Sequence, residues 1–253
     1  MTPSSTTSTP RLYGDLADLW TLFSPPEHYV EEVETFRTRL VRHGVPNDGA
    51  LLHLGSGGGS IDYNLKRFYA ITGVDVSERM LEVARGLNPD VEYVQGDIRT
   101  ARLGRTFDAV LVHDAISYMT SVEELRAVYE TAAVHLRPGG LMIALPEELK
   151  ARLPHLEPSA ETHVVGNRIL SVMETHYDPD PTDHSVEAVY VFLVRDGAAL
   201  RVELDRHIIG AFELEEFLDA IRNAGFAPTV ERWELSDWDD QPELPLITAV
   251  RLR

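Results

Sequence analysis

Apolar runs alternate with helical stripes along the first 146 residues of this 253-residue chain. Between the runs, apolar residues recur every three or four positions, which is typical of helices packed on a sheet. The alternation of strand and helix predicts an α/β fold with a Rossmann-like, mostly parallel sheet and helices on both faces. The runs that predict its first five strands are 51–54, 68–76, 91–94, 107–112 and 141–145.

The pattern changes after residue 146. Three apolar runs at 169–177, 185–195 and 200–209 have no helical stripe between them, and Asp196-Gly197 is a strong hairpin signal. In the third run apolar residues alternate with polar and charged ones, so one face is apolar and the other polar. This predicts a three-stranded antiparallel insert that covers the substrate or forms a dimer surface. The alternating apolar residues are Leu200, Val202 and Leu204, and the polar ones are Arg201, Glu203, Asp205 and His207.

One further helical stripe and two apolar runs close the chain, and they predict a last helix and two closing strands. Near the N-terminus two aromatic-rich stripes flank Pro25-Pro26, which must bend or break the helix there. Trp20 is expected to pack on the sheet, whereas Tyr13 and Tyr29 either pack there or form a lid. The predicted division is a disordered tail 1–10, a helical lid segment 11–48, a cofactor-binding core 49–146, the insert 147–211 and the closing elements 212–253.

The charge of the chain restricts its partners. It has 41 acidic and 23 basic side chains and a formal charge of −18, which argues against nucleic acid and anionic lipid as partners. No apolar run is long enough to span a membrane. The polar N-terminus has no apolar core typical of a signal peptide, and the chain has no cysteine. These features favour a cytoplasmic protein whose partner is neither nucleic acid nor a membrane.

The candidate chemistry begins at a glycine-rich turn. Gly55, Gly57 and Gly59 directly follow the first strand and precede a helical stripe. Glycine permits a sharp turn and lets a ligand lie directly on the backbone, so strand, turn and helix together predict a site for a nucleotide-like ligand. Asp75 ends the next strand 20 residues after Gly55. At that spacing a carboxylate reaches the ribose hydroxyls of a nucleotide; the alternative is a second helix cap.

Polar residues also end the third and fourth strands. Asp97 follows the third strand and would accept a hydrogen bond from an adenine amino group across the same crevice. His113, Asp114, Ser117 and Tyr118 follow the fourth strand. Ligands of open α/β sheets bind at this carboxyl edge, so these side chains are candidates for the chemistry.

Residues 50–145 resemble the class I S-adenosylmethionine-dependent methyltransferases in five segments that occur in the family's order. The resemblance implies a seven-stranded sheet whose last strand is antiparallel, and S-adenosylmethionine as the cofactor. The insert and the N-terminal segment are most similar in layout to the amino-sugar N,N-dimethyltransferases. The matching segments are 54–59 with the glycines, 73–81 with Asp75, 94–98 with Asp97, 107–111, and 136–140 with Pro138-Gly139-Gly140.

Carried over position by position, the resemblance implies a set of cofactor contacts. The glycine turn would approach the methionine part, Asp75 would bind the ribose, and apolar side chains would pack on the adenine. The family usually has an acid two residues before the first glycine, where it helps orient the amino-acid end of the cofactor, and this chain has His53 there. The implied contacts are Tyr29, Gly55, Ser56, Gly57, Gly59, Asp75, Val76, Met80, Asp97, Ile98 and His113.

Methyl transfer from a sulfonium is an in-line displacement, so the protein mainly positions donor and acceptor. A base is needed when the acceptor arrives protonated. Asp114 and His207 are the candidate bases, with Tyr118 and Tyr13 orienting the acceptor. The histidines show no metal-site spacing, although His53 and His113 end neighbouring strands, and no metal is expected. Two alternatives stay open, an NAD-dependent oxidoreductase and a non-catalytic dimeric scaffold that binds the cofactor; a homodimer fits any of the three.

Overall fold

The computed structural model describes residues 9–146, 149–153, 158–233 and 244–252. The predicted tail lies outside this part except for residues 9 and 10. So does most of 236–245, an acidic stretch between the two predicted closing strands. Within these ranges no helix is long and apolar enough to cross a membrane.

A seven-stranded sheet forms the centre of the fold. Its strands are β1 (Ala50–Leu54), β2 (Ala70–Asp75), β3 (Glu92–Gln95), β4 (Phe107–Val112), β5 (Leu136–Ala144), β10 (Phe226–Trp233) and β11 (Leu244–Arg251). Their order across the sheet is β10-β11-β5-β4-β1-β2-β3. All neighbours pair in parallel except β11, which is antiparallel to both β5 and β10. This confirms the predicted Rossmann-like, mostly parallel sheet.

Helices cover both faces of this sheet because each presents an apolar stripe to it. One face is covered by a cluster that includes Tyr129, Phe217 and Ile221, and the other by a cluster that includes Phe36 and Leu65. The helices are α1 (Trp20–Phe23), α2 (Val30–Arg42), α3 (Ser60–Leu65), α4 (Glu78–Leu87), α5 (Val122–His135) and α6 (Leu214–Asn223).

A second, antiparallel sheet has four strands rather than the three predicted. The strands are β6 (Ser159–Val165), β7 (Arg168–Tyr177), β8 (Ser185–Asp196) and β9 (Ala199–Gly210), and they pair in the order of the chain. The sequence analysis missed β6, whose residues are mostly exposed and lack a clear apolar alternation. The Asp196-Gly197 hairpin joins β8 to β9 as predicted.

The two faces of β9 are buried in the opposite sense to that suggested by their polarity, although the inner faces of β7 and β8 are apolar. Val202 and Leu204, on the apolar face of β9, are 65% and 55% exposed, whereas Asp205 and His207 are 3% and 1% exposed. The polar face therefore turns into the molecule. The inner side of the sheet packs on the N-terminal segment through a cluster that includes Leu12, Leu170, Val172 and Phe192.

The N-terminal segment is not one bent helix. Residues 11–23 form two 3₁₀ turns and the short α1, and Pro26–Tyr29 forms another 3₁₀ turn before α2. The two prolines thus separate the short turns from the long helix, as the sequence predicted. The segment lies between the two sheets, because Leu12, Leu19 and Leu22 pack under the second sheet.

Candidate active site

The glycine turn connects β1 to α3 through three residues with left-handed backbone. Gly55, Gly57 and Gly59 have φ angles of 82°, 52° and 78°, which residues with a Cβ rarely adopt. Gly55 has a second reason to lack a side chain, since a Cβ there would lie 2.0 Å from the Cβ of Ala115. The turn is thereby packed directly against the residues that follow β4.

Asp75 joins this turn to the start of α4. Its carboxylate accepts hydrogen bonds from the backbone N–H groups of Gly57 at 2.9 Å and Ser77 at 2.8 Å. Burial raises the pKa of Asp75 above its usual value and outweighs these bonds. A carboxylate has about four acceptor positions, so each oxygen keeps one for a ligand. The cap on α4 itself is the hydroxyl of Ser77, which accepts from the backbone N–H of Met80.

A buried polar chain that the sequence analysis did not identify lies beneath the glycine turn. His53 Nδ1 lies 2.7 Å from Asp62 Oδ1, and Tyr93 donates its hydroxyl to Asp62 Oδ2 at 3.0 Å. Asn88 continues the chain, because its amide donates to Tyr93 and to the carbonyl of Gly59. The only signal in the sequence was an acid in the first turn of α3, which by itself indicates dipole stabilisation of a helix.

The implied adenine contacts differ in their surroundings. Val76 is 62% exposed at the end of β2, an unusual position for an apolar side chain beside a buried strand, whereas Met80 and Ile98 are buried. Asp97 forms an ion pair with Arg99 at 2.6 Å. That guanidinium lowers the pKa of Asp97. Together with the backbone N–H of Arg99 it already donates to both carboxylate oxygens, so a bond from an adenine amino group would compete with Arg99.

His113 lies between two carboxylates at the end of β4. Its Nε2 is 2.5 Å from Glu32 Oε1 of α2, and its Nδ1 is 2.7 Å from Asp114 Oδ1. Burial lowers the pKa of His113, but the two carboxylates outweigh it and raise the pKa well above the usual value. Asp114 reaches back because residues 114–118 form a 3₁₀ turn. The Tyr29 ring lies 6.5 Å from the imidazole, edge to face.

A second chain of hydrogen bonds connects the N-terminal segment, the turn after β4 and the second sheet. The hydroxyl of Tyr118 lies 2.7 Å from that of Tyr13 and 2.8 Å from Nδ1 of His207. Nε2 of His207 lies 2.9 Å from Asp205 Oδ2. An ionised carboxylate only accepts, so in the neutral ring Nε2 carries the proton and Nδ1 accepts the hydroxyl of Tyr118.

Asp205 also holds the N-terminal segment in place. Its two oxygens accept the backbone N–H groups of Arg11 at 3.0 Å and Leu12 at 2.7 Å. Burial would raise the pKa of Asp205, but the bonds from His207, Leu12 and Arg11 together outweigh it and lower the pKa. The sequence analysis included His207 among the candidates but not Asp205, which appeared only as one residue of a polar face.

Tyr13 contacts both the residues that follow Asp75 and the hydrogen-bonded chain that runs from Tyr118 to Asp205. Its carbonyl accepts the hydroxyl of Ser77 at the start of α4, and its phenol contacts Tyr118. Burial raises the pKa of Tyr13, and the charges of Asp114 and Asp75 raise it further. The Tyr13 ring is 5.9 Å from that of Trp20. The Trp20 indole in turn lies over Gly58, where a Cβ would fall 2.1 Å from it, rather than against the sheet as expected.

The residues present fit S-adenosylmethionine. Around the glycine turn four buried polar atoms have no hydrogen-bond partner among the described residues: His53 Nε2, Ser56 Oγ, Trp20 Nε1 and Asn88 Oδ1. Together with the free acceptor positions of Asp75 and the exposed Val76, they offer polar and apolar contacts to an amino acid and a nucleoside. No group of three or more metal-binding side chains occurs in the described part of the chain.

Comparisons with known proteins define the class. Residues 51–140 match the family described as "Methyltransferase domain". A dTDP-3-amino-3,4,6-trideoxy-alpha-D-glucopyranose N,N-dimethyltransferase of Streptomyces venezuelae is 31% identical over 217 residues, which cover 83% of this chain and 90% of that protein. The fold and the site are those of a class I S-adenosylmethionine-dependent methyltransferase.

Solved structures agree with this class. The crystal structure of Streptomyces venezuelae DesVI is 28% identical, has a TM-score of 0.79, and covers 94% of this chain and 98% of that one. SAM-bound CalS10, an amino pentose methyltransferase from Micromonospora echinaspora, is 24% identical with a TM-score of 0.74 over 88% and 91% of the two chains, and shares the fold. This chain belongs to the methyltransferase family of the N,N-dimethyltransferase above and acts as an S-adenosylmethionine-dependent enzyme on a small molecule. The comparisons favour this prediction over a dehydrogenase or a scaffold.

Proposed function

We propose that this enzyme methylates the amino group of a nucleotide-linked amino sugar. The choice of nitrogen is supported by the relatives' printed activities on amino sugars, and the hydrogen-bonded chain from Tyr13 to Asp205 supplies the base that a protonated amine requires. The chain is the observation that carries the proposal, since an amine that arrives as an ammonium must lose a proton before its nitrogen can attack.

The chain from Tyr118 to Asp205 is arranged to take that proton. Tyr118 accepts a proton from the substrate ammonium on its oxygen while it passes its own proton to Nδ1 of His207. The imidazolium that forms is stabilised by the ionised Asp205. The nitrogen lone pair released in this way would then be free to take the methyl group from the bound cofactor, whose S–C bond would break to leave the neutral thioether S-adenosylhomocysteine. Asp114, whose side chain is 47% exposed, is the second candidate base because it borders both Tyr13 and His113.

The rest of the rate enhancement comes from positioning the methyl donor and the acceptor. The cofactor supplies an electrophilic methyl group on its sulfonium, and holding donor and acceptor in line is worth roughly 7–11 kcal/mol. The rings of Tyr13, Tyr118, Tyr190 and His207 lie with centroids 4.6–5.9 Å apart. Tyrosine faces attract cations, so these rings suit an ammonium acceptor. We assign cofactor binding to Tyr29, Gly55, Ser56, Gly57, Gly59, Asp75, Val76, Met80, Asp97, Ile98 and His113.

The proposal is tested by offering the purified protein S-adenosylmethionine with nucleotide-linked 3-amino and 4-amino deoxyhexoses, and with the corresponding hydroxyl sugars. Mass spectrometry should show the addition of one and then two methyl groups to an amino sugar and none to its hydroxyl counterpart. Methylation of the hydroxyl sugars alone would overturn the choice of nitrogen. Loss of turnover in Asp114→Asn with unchanged cofactor affinity would support Asp114 as the base, and unchanged turnover would remove it.

We also propose that two copies associate through the outer face of the second sheet. Met173, Leu193, Val202 and Leu204 are 40–65% exposed there, and cross-strand pairing places Leu193 opposite Val202. The chain carries a formal charge of −18, so two copies approach most easily through a patch of apolar side chains, and a second copy is the occupant that fits.

Light scattering tests the dimer. The wild type should have twice the mass of one chain, and Val202→Lys should reduce it to one. Val230→Lys is the matched control, because Val230 is an exposed valine on a strand of the other sheet. A wild type that stays monomeric at micromolar concentration would contradict the proposal.

A further inference from the structure

The histidine that precedes the glycine turn has an unusual setting. His53 stands where the resembling sequences have an acid, and only 2% of its side chain is exposed. Nδ1 faces Asp62, and Nε2 has no hydrogen-bond partner among the described residues. A buried ring nitrogen without a partner costs free energy, so the site is one that a ligand group would complete.

Strand register shows which side of the sheet this nitrogen serves. His53 pairs with Gly73 of β2 and with Leu111 of β4. Side chains two residues apart share a face, so Asp75, His53 and His113 project from the same face at the carboxyl ends of three neighbouring strands. His53 therefore lies between the ribose acid and the histidine assigned to the methionine end.

Asp62 determines which nitrogen of the His53 ring donates a hydrogen bond and which one accepts. It is fully buried, and its two oxygens accept from His53 and from the hydroxyl of Tyr93. Since a carboxylate only accepts, Nδ1 carries the proton. In the neutral ring Nε2 then bears a lone pair, backed by the negative charge of Asp62. The groups around the ring are Asp62 of α3, Tyr93 of β3 and Asp75 of β2.

The amino-acid end of S-adenosylmethionine has one donor group, the α-ammonium, and one acceptor group, the carboxylate. The lone pair on Nε2 can accept a hydrogen bond from the donor group but not from the carboxylate. We propose that His53 Nε2 accepts a hydrogen bond from the α-ammonium of the cofactor, and that Asp62 is a positioning residue that holds His53 in the required tautomer. The pair His53–Asp62 thus supplies the acceptor that a single acid provides in resembling sequences. This inference rests on the family's cofactor and is independent of which acceptor is methylated.

Calorimetric titration with three probes tests it. S-adenosylhomocysteine has both groups, its deaminated analogue lacks the ammonium, and 5′-methylthioadenosine lacks the whole amino-acid end. His53→Asn keeps an amide near the position of Nδ1 and removes the atom at Nε2. It should weaken S-adenosylhomocysteine roughly 10- to 100-fold, as expected for a hydrogen bond to a charged group, and leave the other two probes unchanged.

His53→Gln is the conservative rescue, because its amide oxygen can occupy the position of Nε2; it should keep most of the affinity. His135→Asn is the matched control. His135 is also a buried histidine, but both its ring nitrogens have partners, Thr131 and Leu103. This variant should bind all three probes like the wild type even if its melting temperature falls as far as that of His53→Asn.

Two results would overturn the proposal. Equal weakening of all three probes by His53→Asn would mean that His53 only supports the glycine turn. Weakening of the deaminated analogue together with S-adenosylhomocysteine would mean that the ring binds the carboxylate instead. If His53→Asn does not fold, nitrogen NMR of the wild type with S-adenosylhomocysteine decides: an unprotonated Nε2 supports the proposal, and a doubly protonated ring contradicts it.

Discussion

The cofactor half and the acceptor half of the active site are built in different ways. The cofactor half uses the ends of β1, β2, β3 and β4, and its hydrogen bonds join residues close in sequence, such as Gly57 and Asp75, 18 positions apart. The acceptor half joins Tyr118 to Tyr13 across 105 positions and to His207 across 89. One half follows from a single parallel sheet, and the other requires three separate segments to meet.

This difference has a physical consequence. Backbone pairing fixes the strand ends of a parallel sheet, so the cofactor residues are positioned by the sheet itself. Tyr13, Tyr118 and His207 are positioned by side-chain bonds to one another and by the docking of the N-terminal segment on Asp205. Substitutions in the acceptor half should therefore affect turnover without affecting cofactor affinity, and substitutions at strand ends should affect cofactor affinity first.

The largest expected effect comes from breaking the acceptor half. His207→Asn removes the group that takes the proton from Tyr118, and the rate constant kcat should fall roughly 10²- to 10⁴-fold, as for the loss of a general base. Affinity for S-adenosylhomocysteine, measured by calorimetry, should stay within about twofold. A comparable loss of cofactor affinity would show that the halves are not separate.

Tyr118→Phe sharpens the same comparison because it removes one oxygen. Tyr129→Phe is its matched control: the Tyr129 hydroxyl is buried and has no hydrogen-bond partner among the described residues. Tyr118→Phe should lower kcat at least tenfold, whereas Tyr129→Phe should leave it unchanged. Equal effects of the two changes would remove Tyr118 from the proton path.

Asp75→Asn breaks the cofactor half. The amide keeps the shape but loses the charge and one acceptor position, and a hydrogen bond to a charged group is worth roughly 1.5–3 kcal/mol. The dissociation constant of S-adenosylhomocysteine should rise roughly 10- to 100-fold, while kcat at saturating cofactor changes little. Unchanged affinity would mean that Asp75 only ties the glycine turn to the residue before α4.

The predictability of the two halves follows the same division. The sheet, the glycine turn and Asp75 were predictable because each is a local pattern at the end of a strand, and the strand ends must meet once the strands are parallel. The sequence could not show that Asp205 holds the N-terminal segment, since nothing local distinguishes it from Glu203. It also could not show that Asp62 would lie under His53, because that contact depends on how α3 packs.

The second sheet shows the limit of polarity as a guide to burial. The alternation in β9 correctly predicted a strand with two different faces. A polar face is normally turned to solvent, yet here Asp205 and His207 are buried because they bond to each other, to Tyr118 and to backbone N–H groups. Paired polar groups can be buried at little cost, so the periodicity determined the two faces but not which one points inward.

Asp205→Asn tests the link between docking and proton transfer. The amide keeps an acceptor for His207 but loses the charge that holds Arg11 and Leu12, so kcat should fall roughly tenfold, less than in His207→Asn. Hydrogen exchange should accelerate in residues 11–23. The pKa of Asp205 is lowered in the folded state, so its contribution to stability is present above about pH 4 and is lost as the pH falls through the folded-state pKa. Protection of the segment that persists in Asp205→Asn would contradict the link.

The smallest effect is expected at His113, on the boundary between the halves. Its pKa is raised in the folded state by Asp114 and Glu32 against the effect of burial. The stability that this charge contributes is therefore fully present below the unfolded-state pKa of about 6.5 and is lost as the pH rises through the folded-state pKa.

Glu32→Gln removes one of the two charges, so the variant should be less stable than the wild type in urea at pH 6, and this deficit should shrink toward pH 9. Glu34→Gln on the same helix is the control, since Glu34 pairs with Arg37, which does not titrate in this range, and its deficit should not depend on pH. A deficit of Glu32→Gln that is equally constant would mean that Glu32 contributes packing rather than charge, and His113 would then belong to the cofactor half alone.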